Sequence, residues 1–178
     1  VGNVLVPLAG VPLGHADWSA AQFAIGAFFW PVGHVLVLVR LATQGAWPER
    51  LLPAVFINVA PPSVIGLGLA QFGAPAALTW GAWGIASFML LSALTQGRRI
   101  MAMPFGIPHW ALSFPLAAFA ALTLRLGAPG GAMAAFGIVA LAAASLAVLA
   151  LCLATLKGLR DGTLLAPEPV AAIQPVTP

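Results

Sequence analysis

Charge is what this sequence has least of. Only 6% of its 178 residues are charged, seven basic and four acidic, where a soluble domain carries roughly a quarter. So thin a supply cannot coat a globule that lives in water. Tyrosine is absent, and the one cysteine, Cys152, lies in an apolar run and has no intrachain partner for a disulfide. The three histidines, His15, His34 and His109, lie too far apart in sequence to make a metal site. No serine has a plausible His/Asp arrangement around it, and no phosphate-binding loop is present. The chain therefore reads as neither an enzyme nor a nucleotide-driven pump, with no cofactor. The polar alternation that a transmembrane β-barrel needs is missing too.

Apolar residues fill the space that charge leaves. They make up 61% of the chain, and the mean hydropathy is +1.03. They come in runs of roughly 20, the length that crosses a hydrocarbon core. A backbone in lipid must satisfy its own hydrogen bonds, so the runs predict α-helices and an all-α, polytopic membrane fold. The segments are 1–13, too short to span, then 22–41, 51–72, 76–94, 108–126 and 132–156. Turns or polar loops fall at 13–17, 43–49, 73–75, 96–106 and 127–131. One transmembrane domain thus covers 1–160, as a partial first helix plus five complete ones, with a flexible tail at 161–178. The chain opens on Val1 and is apolar at once, so a true N-terminus is expected upstream.

The net charge of +3 sits at segment ends and reads as a topology signal, with no nucleic-acid partner. Arg40, Arg50, Arg98, Arg99, Lys157 and Arg160 all fall on one side of the alternating segments, and Arg125 on the other. The positive-inside rule puts the basic loops and the C-terminus in the cytoplasm. Trp18, Trp47 and Trp110 read as interface anchors, and Trp80 and Trp83 as packing or anchoring the fourth segment. His34, inside an even segment, is expected to hydrogen-bond to a neighbouring helix.

A repeat runs through the apolar segments. Pro7, Pro62 (after Pro61) and Pro115 lie near the middle of successive odd segments, 55 and 53 positions apart. Gly26, Gly81 and Gly137 mark the even segments, 55 and 56 apart. The unit is a hairpin of one proline-bearing and one glycine-bearing helix, repeated in one orientation. An interior proline removes a backbone hydrogen bond. In a membrane such a break is tolerated beside protein or a wet cavity. The odd segments are therefore expected to be kinked and to gather round a pore, with the even ones outside facing lipid. Breaks would also expose helix N-termini, which favour anions. No acidic residue lies within a membrane segment, which makes the path a poor route for cations. Asn3, Asn58 and Ser63 either line a wet path or bond across helices. Arg125 either draws anions to the outer mouth or snorkels to the interface.

Three stretches carry a family resemblance: Val1-Gly2-Asn3-Val4 with Pro7-Leu8-Ala9-Gly10 and Leu13-Gly14-His15, then Ala60-Pro61-Pro62-Ser63-Val64, then Trp110-Ala111-Leu112-Ser113-Phe114. In this order and spacing they resemble odd helices of the tellurite-resistance/dicarboxylate transporter family. That family includes the bacterial TehA channel homologue, the plant slow anion channels, and fungal malate and sulfite transporters. The resemblance implies ten helices in five hairpins, an inner five lining a pore, and assembly as a homotrimer. This chain would be the C-terminal half, entering within the fifth helix. It implies a passive or gated channel for small inorganic or organic anions; the alternative is a secondary carrier for sulfite or C4-dicarboxylates, with tellurite resistance. A bacterial cytoplasmic membrane is the expected location. By position alone Phe114 is a packing residue. The resemblance makes it the phenylalanine that plugs the pore on the ninth helix, although Pro115 stands where glycine is expected next.

Overall fold

The computed structural model describes residues 2–45 and 48–164. Trp47, Val1 and the tail beyond residue 164 lie outside the described residues. Every regular element among those described is helical. Five helical spans are long and apolar enough to cross a membrane: Ala16–Gln44, Glu49–Gln71, Ala76–Leu94, Ile107–Leu126 and Ala132–Arg160.

The first helix, α1 (Gly2–Gly10), has nine residues and reaches about 14 Å, less than half a bilayer core. A turn returns the chain into α2 (Ala16–Gln44). This helix extends several residues past the expected 22–41 at both ends. The supposed turn residues Ala16 and Asp17 form its first turn, where an acid suits the helix dipole. Next comes a segment that the hydrophobic pattern does not distinguish from an α-helix. Residues Glu49–Val59 wind as a 3-10 helix, η1, which passes directly into α3 (Ala60–Gln71). Gly73, with φ +68°, makes the turn into α4 (Ala76–Leu94), whose bounds match the expected ones. The polar stretch after it forms a short helix, α5 (Gly97–Ala102). A second 3-10 piece, η2 (Ile107–Leu112), leads into α6 (Ser113–Leu126). The last helix, α7 (Ala132–Arg160), runs past the expected end at 156.

Three hairpins result: α1 with α2, α3 with α4, and α6 with α7. The odd members pack side by side in the order α1, α3, α6, and η1 packs along η2. Their packing register is the register of the repeat. Gly66 on α3 faces Leu122 on α6, 56 positions later. Val64 and Ala118, 54 apart, share a core cluster with Val4 of α1. The even helices pack outside this layer, each mainly on odd elements. Burial follows the layering: more than half of the most apolar part of Glu49–Gln71 is buried, against none of that of α2.

Candidate pore wall

The prolines act differently from the expected mid-helix breaks. Pro7 lies inside a continuous α1. Pro61 and Pro62 occupy the second and third positions of α3, and Pro115 the third of α6. There a missing N–H disturbs little, because the first turn of an α-helix needs no i−4 partner. The chain before each is already wound as a 3-10 helix. No open helix end is left at either junction. The Ala60 N–H donates to the Ile57 carbonyl and the Ser113 N–H to the Trp110 carbonyl. The expected free N–H groups are thus used up by the 3-10 turns. All four prolines, Pro7, Pro61, Pro62 and Pro115, are buried.

The 3-10 winding sorts side chains by threes. On η1, Pro53, Phe56 and Val59 are buried, while Leu51 and Ile57 are exposed and Ala54 lies between the two classes. Phe56 packs with Ala93 and Ile100, and Val59 with Ala86 and Phe119. One face of η1 is therefore fixed to α4, α5 and α6, and the other is bare. In α6 the period is helical. Pro115, Ala118, Phe119, Leu122 and Thr123 are buried, whereas Phe114, Ala117, Ala121 and Arg125 form an exposed stripe. Phe114 is 45% exposed, and Arg125 stands at the far end of the same stripe.

The polar candidates divide. The Asn3 side-chain amide donates to Gln22 Oε1 at 3.1 Å, tying α1 to α2. Asn58 donates to the Val55 carbonyl at 3.2 Å, within η1. Ser63 is fully buried, and its hydroxyl donates to the Val59 carbonyl at 2.7 Å. It neither reaches an open surface of the described chain nor crosses to another helix. The winding changes from 3-10 to α at this junction, and the serine serves the carbonyl there. His34 is also a correction. Its Nδ1 is buried without a hydrogen-bond partner among the described residues, beside the Trp30 ring at 5.9 Å. Among the described residues no hydrogen bond joins it to a neighbouring helix.

Two interhelical ties were not legible in the sequence. Trp83 Nε1–H donates to Thr123 Oγ1 at 3.0 Å, and Trp110 Nε1–H donates to Thr155 Oγ1 at 3.0 Å. The Thr123 hydroxyl passes its own hydrogen to the Phe119 carbonyl at 2.8 Å. The Trp83 ring stacks on Phe119, with centroids 6.2 Å apart. Trp110 is therefore a tie between η2 and α7, and Trp83 a tie between α4 and α6. Trp18 is 66% exposed. A tryptophan opposite a threonine 40 or 45 positions away has no local sequence pattern to announce it.

The arrangement offers no reactive side chain to the bare faces of η1 and α6. What it offers is an arc of like-directed, mostly apolar helices with one aromatic and one arginine on the α6 stripe.

Residues 1–156 match the model of the SLAC1 family, described as voltage-dependent anion channel. The S-type anion channel SLAH2 of Arabidopsis thaliana is 29% identical over 153 residues, covering 84% of this chain and 30% of that protein. The S-type anion channel SLAH3 of the same plant is 28% identical over 128 residues, 70% of this chain and 20% of that protein. The chain thus spans less than a third of the length of these curated relatives. No solved structure matches it. The match over nearly the whole described chain bears out the resemblance drawn from the proline and aromatic motifs: this chain belongs to the voltage-dependent anion channel family.

Proposed function

We propose that this chain forms part of the pore wall of a gated channel for small anions. The observation that carries the reading is the packing of α1, η1–α3 and η2–α6 as consecutive, like-directed helices in the register of the repeat, in a chain of this family. Further copies of the hairpin in the same polypeptide would continue the arc into a ring, giving ten helices with five inside. Three such polypeptides would form a trimer in a bacterial cytoplasmic membrane, with the basic ends and the C-terminus in the cytoplasm.

Phe114 is the proposed gate. Its exposed ring stands on the bare stripe of α6, while Pro115 behind it is buried. Pro61, Pro62 and Pro115 shape the wall from behind by fixing where α winding begins, and Pro7 by its buried ring within α1. Asn3 contributes as a tie between α1 and α2, Asn58 steadies η1 from within, and Arg125 attracts anions to the outer mouth. Among the described residues every acid lies at a helix end or beyond it: Asp17, Glu49 and Asp161. A channel accounts for this better than carriage of sulfite or a dicarboxylate coupled to protons through a carboxylate within the membrane.

The test is Phe114→Ala in the protein reconstituted into bilayers. Anion conductance is expected to rise, with unitary currents reversing at the anion equilibrium potential. Unchanged current at normal expression removes Phe114 from the gate.

A further inference from the structure

Six of the seven basic residues lie at one end of the helices: Arg40, Arg50, Arg98, Arg99, Lys157 and Arg160. There the chain between α5 and η2 forms a shelf of Met103, Pro104 and Phe105. Three hollows open side by side and share that shelf as a wall. The first, about 420 Å³, has Arg50, Ile107, His109 and Thr163 in its lining. The second, about 330 Å³, has Arg99 and Leu52. The third, about 530 Å³, has Lys157 and Leu164. Each combines a cationic side chain with apolar wall. Glu49 borders the first two, and its carboxylate takes a 3.1 Å ion pair from Arg99. Asp161 borders the third. His109 has no spare nitrogen for the hollow: the Gly106 N–H donates to its Nδ1 at 3.2 Å, and its Nε2 lies 3.4 Å from the Ile100 carbonyl.

The apolar residues around the shelf decide what fits. Ile107, which shares the lining of the first hollow with Arg50, is 64% exposed, and Met101, on α5 two residues after Arg99, is 80% exposed. In bulk water such side chains would gain nothing. At the boundary between headgroups and hydrocarbon, they can lie under an acyl chain while the arginines meet phosphate. A small soluble anion would leave these walls wet.

We infer that this end of the protein binds an anionic phospholipid. Its phosphate sits against the Met103–Phe105 shelf between Arg50 and Lys157, and its chain runs along Ile107 and Met101. The site is separate from the Phe114 stripe and stands whether or not Phe114 is a gate.

Native mass spectrometry of the detergent-purified protein tests this, with phosphatidylglycerol, phosphatidylcholine and glycerol 3-phosphate as probes. Phosphatidylglycerol is expected to be retained at least about tenfold better than phosphatidylcholine. A basic residue near a membrane surface is worth about one kilocalorie per mole, so Lys157→Gln and Arg50→Gln should each weaken retention about five-fold. Arg50→Lys should restore most of it, and Arg125→Gln, at the opposite end, should leave it unchanged. Lys157 is exposed on the last turns of α7, so that variant stays informative even if Arg50→Gln perturbs folding. Three results would each overturn the inference: equal retention of phosphatidylcholine, an equal loss in Arg125→Gln, or competition by glycerol 3-phosphate as effective as the lipid's own binding.

Discussion

Replacing Gly26, Gly81 and Gly137 with alanine, one at a time, applies the same chemical change to three positions that the repeat makes equivalent. The structure expects different results. A β-carbon at Gly26 would stand 2.6 Å from Val4 Cγ1 and 3.0 Å from the Val4 nitrogen. At Gly137 it would stand 2.8 Å from Leu124 Cδ2 and 3.0 Å from the Leu124 nitrogen. At Gly81 nothing lies within 4 Å. Carbon atoms rest about 3.5–4.0 Å apart, so α1 and α2, or α6 and α7, must separate by most of an ångström. Backbone atoms among the contacts and the stiff Val4 side chain leave little room to relax. Overpacking of this kind costs about 1–3 kcal/mol. Removing a helical glycine returns up to about 1 kcal/mol. The net expectation is a loss of about 1–2 kcal/mol at Gly26 and Gly137, and a gain of up to about 1 kcal/mol at Gly81. Tryptophan fluorescence during thermal unfolding in detergent reads the difference. At about 2–4 °C per kcal/mol, the first two variants should melt several degrees lower and the third no lower than the parent. If Gly81→Ala falls as far as the others, the helices do not approach as described.

Two further tests probe the ties and turns. Trp83→Phe keeps the stack on Phe119 but removes the hydrogen bond to Thr123, and Thr123→Val removes it from the other side. Each should cost about 0.5–1.5 kcal/mol, and a double-mutant cycle should show that the two losses are not additive; full additivity would deny the bond. At the turn, Gly73→Ala forces a β-carbon onto φ +68° with no neighbour to clash with. It should cost about 1 kcal/mol from conformation alone, and an unchanged melting temperature would contradict the left-handed turn.

The hydrophobic pattern made the layers legible because burial and the repeat share one period. Ala76–Leu94 is bounded by Gly73-Ala74-Pro75 before it and by polar residues after it, and there the expected and observed helix coincide. The 3-10 winding was not legible. The apolar stretch at 51–57 looks the same at three or 3.6 residues per turn, and Pro61 and Pro62 announce an irregularity without saying which kind. The repeat spacing of Pro62 and Pro115 falls at the starts of α3 and α6, but breaks with open ends were the wrong inference, since the 3-10 turns take up the junction N–H groups. Asn3 bonded across helices, as a polar residue in an apolar segment often does. Ser63 turned to its own backbone, a choice that depends on a carbonyl whose surroundings only the folded junction defines. The Trp83–Thr123 and Trp110–Thr155 pairs depend on how far each outer helix slides along its inner neighbour, which no local pattern encodes.

The winding of η1 bears on how this wall can change length over evolution. Three residues make one full turn of a 3-10 helix and advance it about 6 Å. Inserting or deleting three residues within Glu49–Val59 would therefore move the start of α3 along the membrane normal and leave Phe56 and Val59 facing the way they face now. The same edit in α2 or α7 would swing everything beyond it by about 60°. The inner layer can thus be lengthened or shortened in whole steps without rotating its lining, a freedom that the longer outer helices do not share.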